Sequence, residues 1–245
     1  MADTQDKKLE LIAQLLAKAE STTPEEAEAL TEHAERLMIK YGIDQARIDA
    51  KRAKAGQATE QIVQRKMTFT GTYRREMINL GAAVTRGLGS LRVLQSRNPD
   101  RSVSLYIIGY ESDVQQAETL ILSLQVQSAV AVRAWWAENA DAFRGLPSYD
   151  QKAARRSFVM GFGNGAGRRI ADSRAKMVQE AGTGTELVLV SRDAKVQDFF
   201  DGMAKGKARA TRRKGSSFAA ADGFQAGQQA NTGERGVTQG RGISA

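Results

Sequence analysis

The sequence predicts an α+β protein: an N-terminal helical hairpin, a small mostly antiparallel sheet packed on long helices, and a basic helical C-terminal part. Three observations carry that prediction. Apolar residues recur at helical spacing through Lys7 to Asp44 and again from Val114 to Trp135. Between those segments, short runs of alternating apolar and polar residues are bounded by turn-forming residues. The 245 residues carry a net charge of +8, and the surplus cations gather after Lys152.

The hairpin is the best-specified element. Leu9, Ile12, Leu15, Leu16 and Ala19 share one helical face. Thr23 suits an N-cap, Pro24 suits the first helical position, and Glu26 completes a capping box with Thr23. The second helix buries Ala27, Leu30, Ala34, Leu37, Met38 and Tyr41, and Gly42 is its expected C-terminal cap. Gln45 to Gly56 follows as a charged helix or linker.

The middle of the chain reads as α+β. Gln61 to Phe69 is a strand, and Tyr73 to Gly87 a helix that turns Met77, Leu80, Ala83 and Val84 inward. Leu91 to Gln95 and Val103 to Tyr110 form paired strands around the turn residues Asn98-Pro99-Asp100. A long helix begins near Ser112, which forms a second capping box with Gln115. Its stripe runs from Val114 through Ile121 and Leu124 to Trp135, which places Trp135 in the core. Trp136 lies about 100° further round the helix, at an edge or on a stacking surface.

The last part is helical and basic. Ser148 to Gln179 is a helix interrupted by glycines, Leu187 to Val190 a short buried strand, Ala194 to Met203 and Ser216 to Asn231 further helices. Thr232 to Ala245 has no apolar periodicity and is expected to be disordered. The resulting division is a hairpin domain (1–55), an α+β domain (60–145), a basic helical region with one short strand (146–231) and a disordered tail (232–245). One internal echo stands out. Gly161-Phe162-x-x-Gly165 and Gly223-Phe224-x-x-Gly227 share a pattern that puts two glycines on one helical face. A duplicated helix-packing device is the preferred explanation.

Several chemistries are poorly served. The chain has no cysteine, which removes disulfides, thiolate nucleophiles and zinc–thiolate sites. Its one histidine, His33, sits at the border of the hairpin's apolar stripe and suits packing better than catalysis. Glu111 and Asp113 at a strand-to-helix turn could face a cation, but the helix N-terminus accounts for them equally well. Ser157 to Asp193 imitates a dinucleotide-binding unit, with Gly161 to Ala166 as the phosphate turn. Its first strand would be too short, and Asp193 stands too far beyond the glycines. No catalytic, cofactor or metal site is therefore expected, and an enzyme is disfavoured. No apolar run could cross a membrane, and no apolar signal core is present, so a cytoplasmic location is expected.

The residues also carry a resemblance. Leu15 to Ala29, then Ala34-Glu35-Arg36-Leu37-Met38 and Tyr41-Gly42-Ile43, resemble the bacterial and phage family catalogued as domain of unknown function 2786. Tyr73 to Val126, with Gly109-Tyr110-Glu111-Ser112-Asp113-Val114, is similar to the companion α/β domain of such proteins. The resemblance implies a bacterial or phage intracellular protein and brings no activity or catalytic residue with it.

The charge distribution supplies the functional expectation. Acids outnumber bases in residues 1–60, whereas residues 151–176 hold seven cations against Asp172 alone. Such a surface favours a polyanionic partner. The expectation is a non-enzymatic nucleic-acid-binding accessory protein in which Arg155, Arg156, Arg168, Arg169, Arg212, Arg213 and Lys214 contact phosphates and Trp136 adds stacking. The alternative is a protein–protein module acting on a host or replication complex through residues 7–44.

Overall fold

A computed structural model describes residues 24–181, 184–203 and 215–230, with positions 11, 14, 15 and 18 before them. Between residues 24 and 38 only the side chains of Leu30, His33 and Leu37 are described. The expected hairpin turn, the tail expected to be disordered and the cations Arg212, Arg213 and Lys214 lie outside those residues. The chain divides into two compact units, Met1–Tyr41 with Asn231–Ala245, and Gly42–Ala230. In the first unit, positions 11, 14, 15 and 18 are helical and His33 is exposed.

Helix α1 is Pro24–Lys54. It begins at the proline expected to open it, but it does not stop at Gly42. Ile43, Ala46 and Asp49 are buried at helical spacing beyond that glycine. A Cβ at Gly42 would lie 3.1 Å from Gln116 Oε1, so the glycine serves close packing within the helix rather than a cap. Of the charged helix or linker expected over Gln45 to Gly56, the structure shows the helix, which is the last part of α1 and runs to Lys54.

Three strands follow the expected pattern: β1 is Ile62–Phe69, β2 Arg92–Arg97 and β3 Val103–Tyr110. They form one antiparallel sheet in the order β1-β3-β2. Helix α2, Arg74–Leu88, connects β1 to β2, so β3 inserts between two strands joined by a helical crossover, a split βαβ arrangement. The β2–β3 turn is held by Asp100, which accepts from the Ser102 backbone N–H at 2.9 Å and its hydroxyl at 2.7 Å. Arg101 takes φ 66° there. The central strand is buried nearly throughout. Gly81 of α2 fits between Leu105 and Ile121, which brings helix, strand and next helix into one core.

Helix α3, Glu111–Asn139, leaves β3 directly. The expected Ser112–Gln115 capping box does not form. The Ser112 backbone N–H and hydroxyl both donate to the Glu60 carboxylate, so the cap comes from a residue fifty-two positions away in sequence. A short 3-10 turn, Ala140–Phe143, precedes α4, Ser148–Glu180. Helix α5, Thr185–Asp201, and helix α6, Ser217–Gln229, complete the second unit.

Leu187 to Val190 is helical, which corrects the expected strand. The residues of α5 that turn inward are Thr185, Leu189, Arg192 and Val196. Their spacing is helical, whereas Leu187 and Val190 are 76% and 66% exposed. The run of branched residues therefore crosses the helix surface rather than lining one strand.

The glycine echo is a packing device. Helix α4 runs unbroken through Gly161 to Gly167, which removes any phosphate-binding turn. A Cβ on Gly161 would strike the Ala220 carbonyl, and one on Gly165 the Phe224 carbonyl. Reciprocally, Gly223 lies against the Phe158 carbonyl and Gly227 against that of Phe162. Both partners advance together along the chain, so α4 and α6 are parallel and meet about a local two-fold relation. Gly163 and Gly167 point elsewhere: their Cβ positions fall 2.8 Å from Leu80 Cα and 2.7 Å from the Ala83 carbonyl of α2. Alternating glycines thus let α4 approach α6 on one side and α2 on another.

Candidate functional site

The second unit contains two arrangements of charged and aromatic residues, one on its surface and one buried. The surface arrangement is built at the first turns of α4. Trp135 turns inward, as its stripe predicts, and stacks on Phe158 with ring centroids 5.0 Å apart. Its indole N–H donates to Asp222 at 2.8 Å. Trp136 is half-buried. Phe143 stands 5.5 Å from its ring and the Arg155 guanidinium lies 4.5 Å over it. That contact is a cation–π pair between two of the residues singled out by sequence. Lys152, exposed, and Arg156, half-buried, belong to the same stretch of α4. Lys152 and Arg155 have no carboxylate partner among the described residues. Arg156 and Arg74 lie close enough to act on Glu76, whose carboxyl is nevertheless pushed up by burial.

The other expected phosphate contacts are placed differently. Arg168 is exposed and pairs with Asp172 one turn on, at 3.1 Å. Arg169 is a correction: it is 8% exposed, and its Nη1 donates to the carbonyls of Gln228 at 2.9 Å and Ala230 at 2.8 Å. It satisfies the orphan carbonyls at the end of α6 and is not a surface cation. Together with Ser157, whose hydroxyl accepts from Ser216 N–H at 3.0 Å, and the Trp135–Asp222 bond, it fixes α6 at its start, middle and end.

The buried arrangement centres on Arg192, which sequence reading missed. Its Nε donates to Asp113 at 3.0 Å, Nη1 to Asp49 at 2.9 Å, and Nη2 to Glu60 at 2.8 Å. Nη2 also reaches the Ser112 hydroxyl at 3.3 Å, and the guanidinium plane lies 3.6 Å from the Tyr110 ring centroid. One side chain therefore joins α1, the segment leading into β1, the start of α3 and α5. Burial alone would pull Arg192 down, but Asp113 and Glu60 overcome it and hold its proton firmly. The acids feel the opposite balance: burial pushes Asp49 and Asp113 up despite the arginine beside them. The cation that Asp113 faces is thus a guanidinium, while Glu111 accepts from Arg65 at 3.0 Å. Among the described residues no group of acids and histidines is arranged for a metal ion.

A cleft of ≈ 320 Å³ opens beside this cluster, with Asp49, Tyr110 and Arg192 on its wall and Lys54, Lys195 and Leu187 also lining it. Four donor positions of Arg192 are already used, so the buried cluster joins elements and has no free guanidinium edge for a ligand. A further aromatic–cation pair stands on the sheet: Lys66 Nζ lies 5.9 Å over the ring of Tyr106, a half-buried residue of the middle strand. The signal for it in sequence is the alternation of Ser104 and Tyr106 with Leu105 and Ile107.

A family model described as a protein of unknown function, DUF2786, matches residues 7–45. Those residues are a DUF2786 segment, as their resemblance implied. No curated protein and no solved structure matches the chain. No helix of the described residues is long and apolar enough to cross a membrane.

Proposed function

We propose that this protein is a non-enzymatic nucleic-acid-binding accessory protein that grips phosphates with Lys152, Arg155 and Arg156 of α4. The observation that supports the reading most is the stacking of Arg155 on Trp136 at 4.5 Å. An arginine laid on a ring loses less freedom when it meets an anion, and its planar fork keeps donors for phosphate oxygens. The net charge of +8 adds a long-range attraction for polyanions. Arg168 contributes less, because Asp172 already neutralises it. Trp136 acts through Arg155: with Phe143 and the guanidinium against it, its ring orients the cation instead of receiving a base.

Phosphate contacts give affinity and carry little sequence information. Binding should therefore be insensitive to sequence and fall steeply with salt. A bacterial or phage-infected cytoplasm goes with this reading. Fluorescence anisotropy with labelled single-stranded DNA, duplex DNA and RNA at low salt tests it. Retention no greater than that of a neutral control protein on all three would end it.

A further inference from the structure

We propose that the outer face of α3 is the interface of an antiparallel dimer of this chain, with its two-fold axis at Val126. Helix α3 has two apolar faces. One, through Ile121, Leu124 and Val132, is buried in the core. The other leaves Leu122, Val126 and Val130 exposed by 56%, 51% and 63%. Thr119, Leu122, Val126, Val130 and Arg133 follow one another at spacings of three, four, four and three, one face of the helix and symmetric about Val126. No charged residue occurs between Glu118 and Arg133, although 26% of the chain is charged. A helix apolar on both faces needs a second surface to cover it.

The charges at the two ends of this stretch select the occupant. In an antiparallel pair centred on Val126, Leu122 of one copy meets Val130 of the other. Glu118 then falls beside Arg133 of the second copy, and the same pair repeats on the far side of the axis. The two ends lie about 10–12 Å from the axis at the ordinary helical rise. Arg133 has no partner among the described residues, and Glu118 has only the long 4.0 Å contact with Arg65. An acidic end and a basic end equidistant from an apolar centre complement themselves, as an isologous interface requires. A single helix pair lies at the small end of protein interfaces, so the dimer forms reversibly as concentration rises.

Sedimentation equilibrium of the full chain over a concentration series tests this. The expected result is a monomer–dimer equilibrium that Val126→Glu shifts wholly to monomer, because it sets two carboxylates together on the axis. Glu118→Arg and Arg133→Glu should each weaken the dimer, and the two together should restore it. Since the chain lacks cysteine, Val126→Cys gives one thiol per copy. Mild oxidation should link it far more readily than Arg86→Cys, on the exposed side of α2. This cross-link reads the interface without depending on the charge variants. A monomer at every concentration, with no preferential Val126→Cys cross-link, would overturn the proposal. Failure of the double charge exchange to restore association would overturn the antiparallel register.

Discussion

Replacing glycine by alanine at Gly161, Gly165, Gly223 or Gly227 should destabilise the protein, whereas the same change at Gly202 should not. At the four packing positions the new Cβ would come closer than 3.0 Å to a backbone carbonyl of the facing helix. Ordinary contact begins near 3.4 Å, so α4 and α6 must separate by at least the difference. Neither can yield by rotating a side chain, because the obstruction is main chain. Overpacking of this kind costs about 1–3 kcal/mol, partly offset by roughly 0.5–1 kcal/mol of helix propensity gained over glycine. A net loss centred on about 1 kcal/mol and reaching about 2.5 kcal/mol remains, or a fall in Tm of about 2–4 °C and at most about 10 °C for a unit of this size. Gly202 is different: its φ is −71°, and the nearest atom to its Cβ position, the Phe199 carbonyl oxygen, is 3.5 Å away. Alanine there should be neutral or stabilising by up to about 1 kcal/mol. Urea unfolding followed by circular dichroism measures all five. If the four packing variants match wild type, or Gly202→Ala is the most destabilised, the close parallel pairing of α4 and α6 is wrong.

The remaining predictions concern the charged groups. Arg192→Met should cost about 3–5 kcal/mol, since it leaves Asp49, Glu60 and Asp113 buried without their cation; a loss below about 1 kcal/mol in urea unfolding would show that the cluster is not closed as described. The raised carboxyl of Asp113 gives a pH dependence of definite sign. Its folded form binds a proton more readily than the unfolded chain, so its stabilising share is full below the ordinary carboxyl pKa and is lost as pH rises through the shifted value. Compared with Asp113→Asn, wild type should therefore lose Tm steadily from pH 4 upward, and parallel Tm profiles for the two would refute the shift. Because Trp136 works through Arg155, Trp136→Leu and Arg155→Ala should weaken nucleic-acid binding non-additively in a double-mutant cycle; fully additive losses would mean that Trp136 contacts the nucleic acid itself.

Alternation and turn chemistry made most of the α+β core legible. Leu105 and Ile107 face the helices as their period of two requires, and Asn98-Pro99-Asp100 turns the chain where those residues suggested. Trp135 is core because its stripe is unbroken. The reading failed where a polar residue sits on a buried face. In α5 the inward stripe contains Thr185 and Arg192, so the helical period is masked and the branched residues Leu187 to Val190 imitate a strand. Arg192 itself was invisible for the same reason: its partners Asp49, Glu60 and Asp113 are scattered through the chain, and only the fold assembles them. Gly42 misled in another way, since a glycine required by close packing looks like a helix terminator in sequence. The cations of α4 were visible in the sequence as a stretch, but charge counting could not separate Arg155, laid on a ring, from Arg169, turned inward to cap a helix.

The central claim is that Lys152, Arg155 and Arg156 bind phosphates, and the salt dependence of binding tests it most directly. Each phosphate contact on duplex DNA contributes about 0.9 to the slope of log affinity against log salt concentration. Replacing all three cations with alanine should therefore lower that slope by about 2.7 while weakening binding equally across unrelated sequences. Arg169→Met, at a buried cation, should leave the slope of the folded protein unchanged. An unchanged slope in the triple variant would contradict the account.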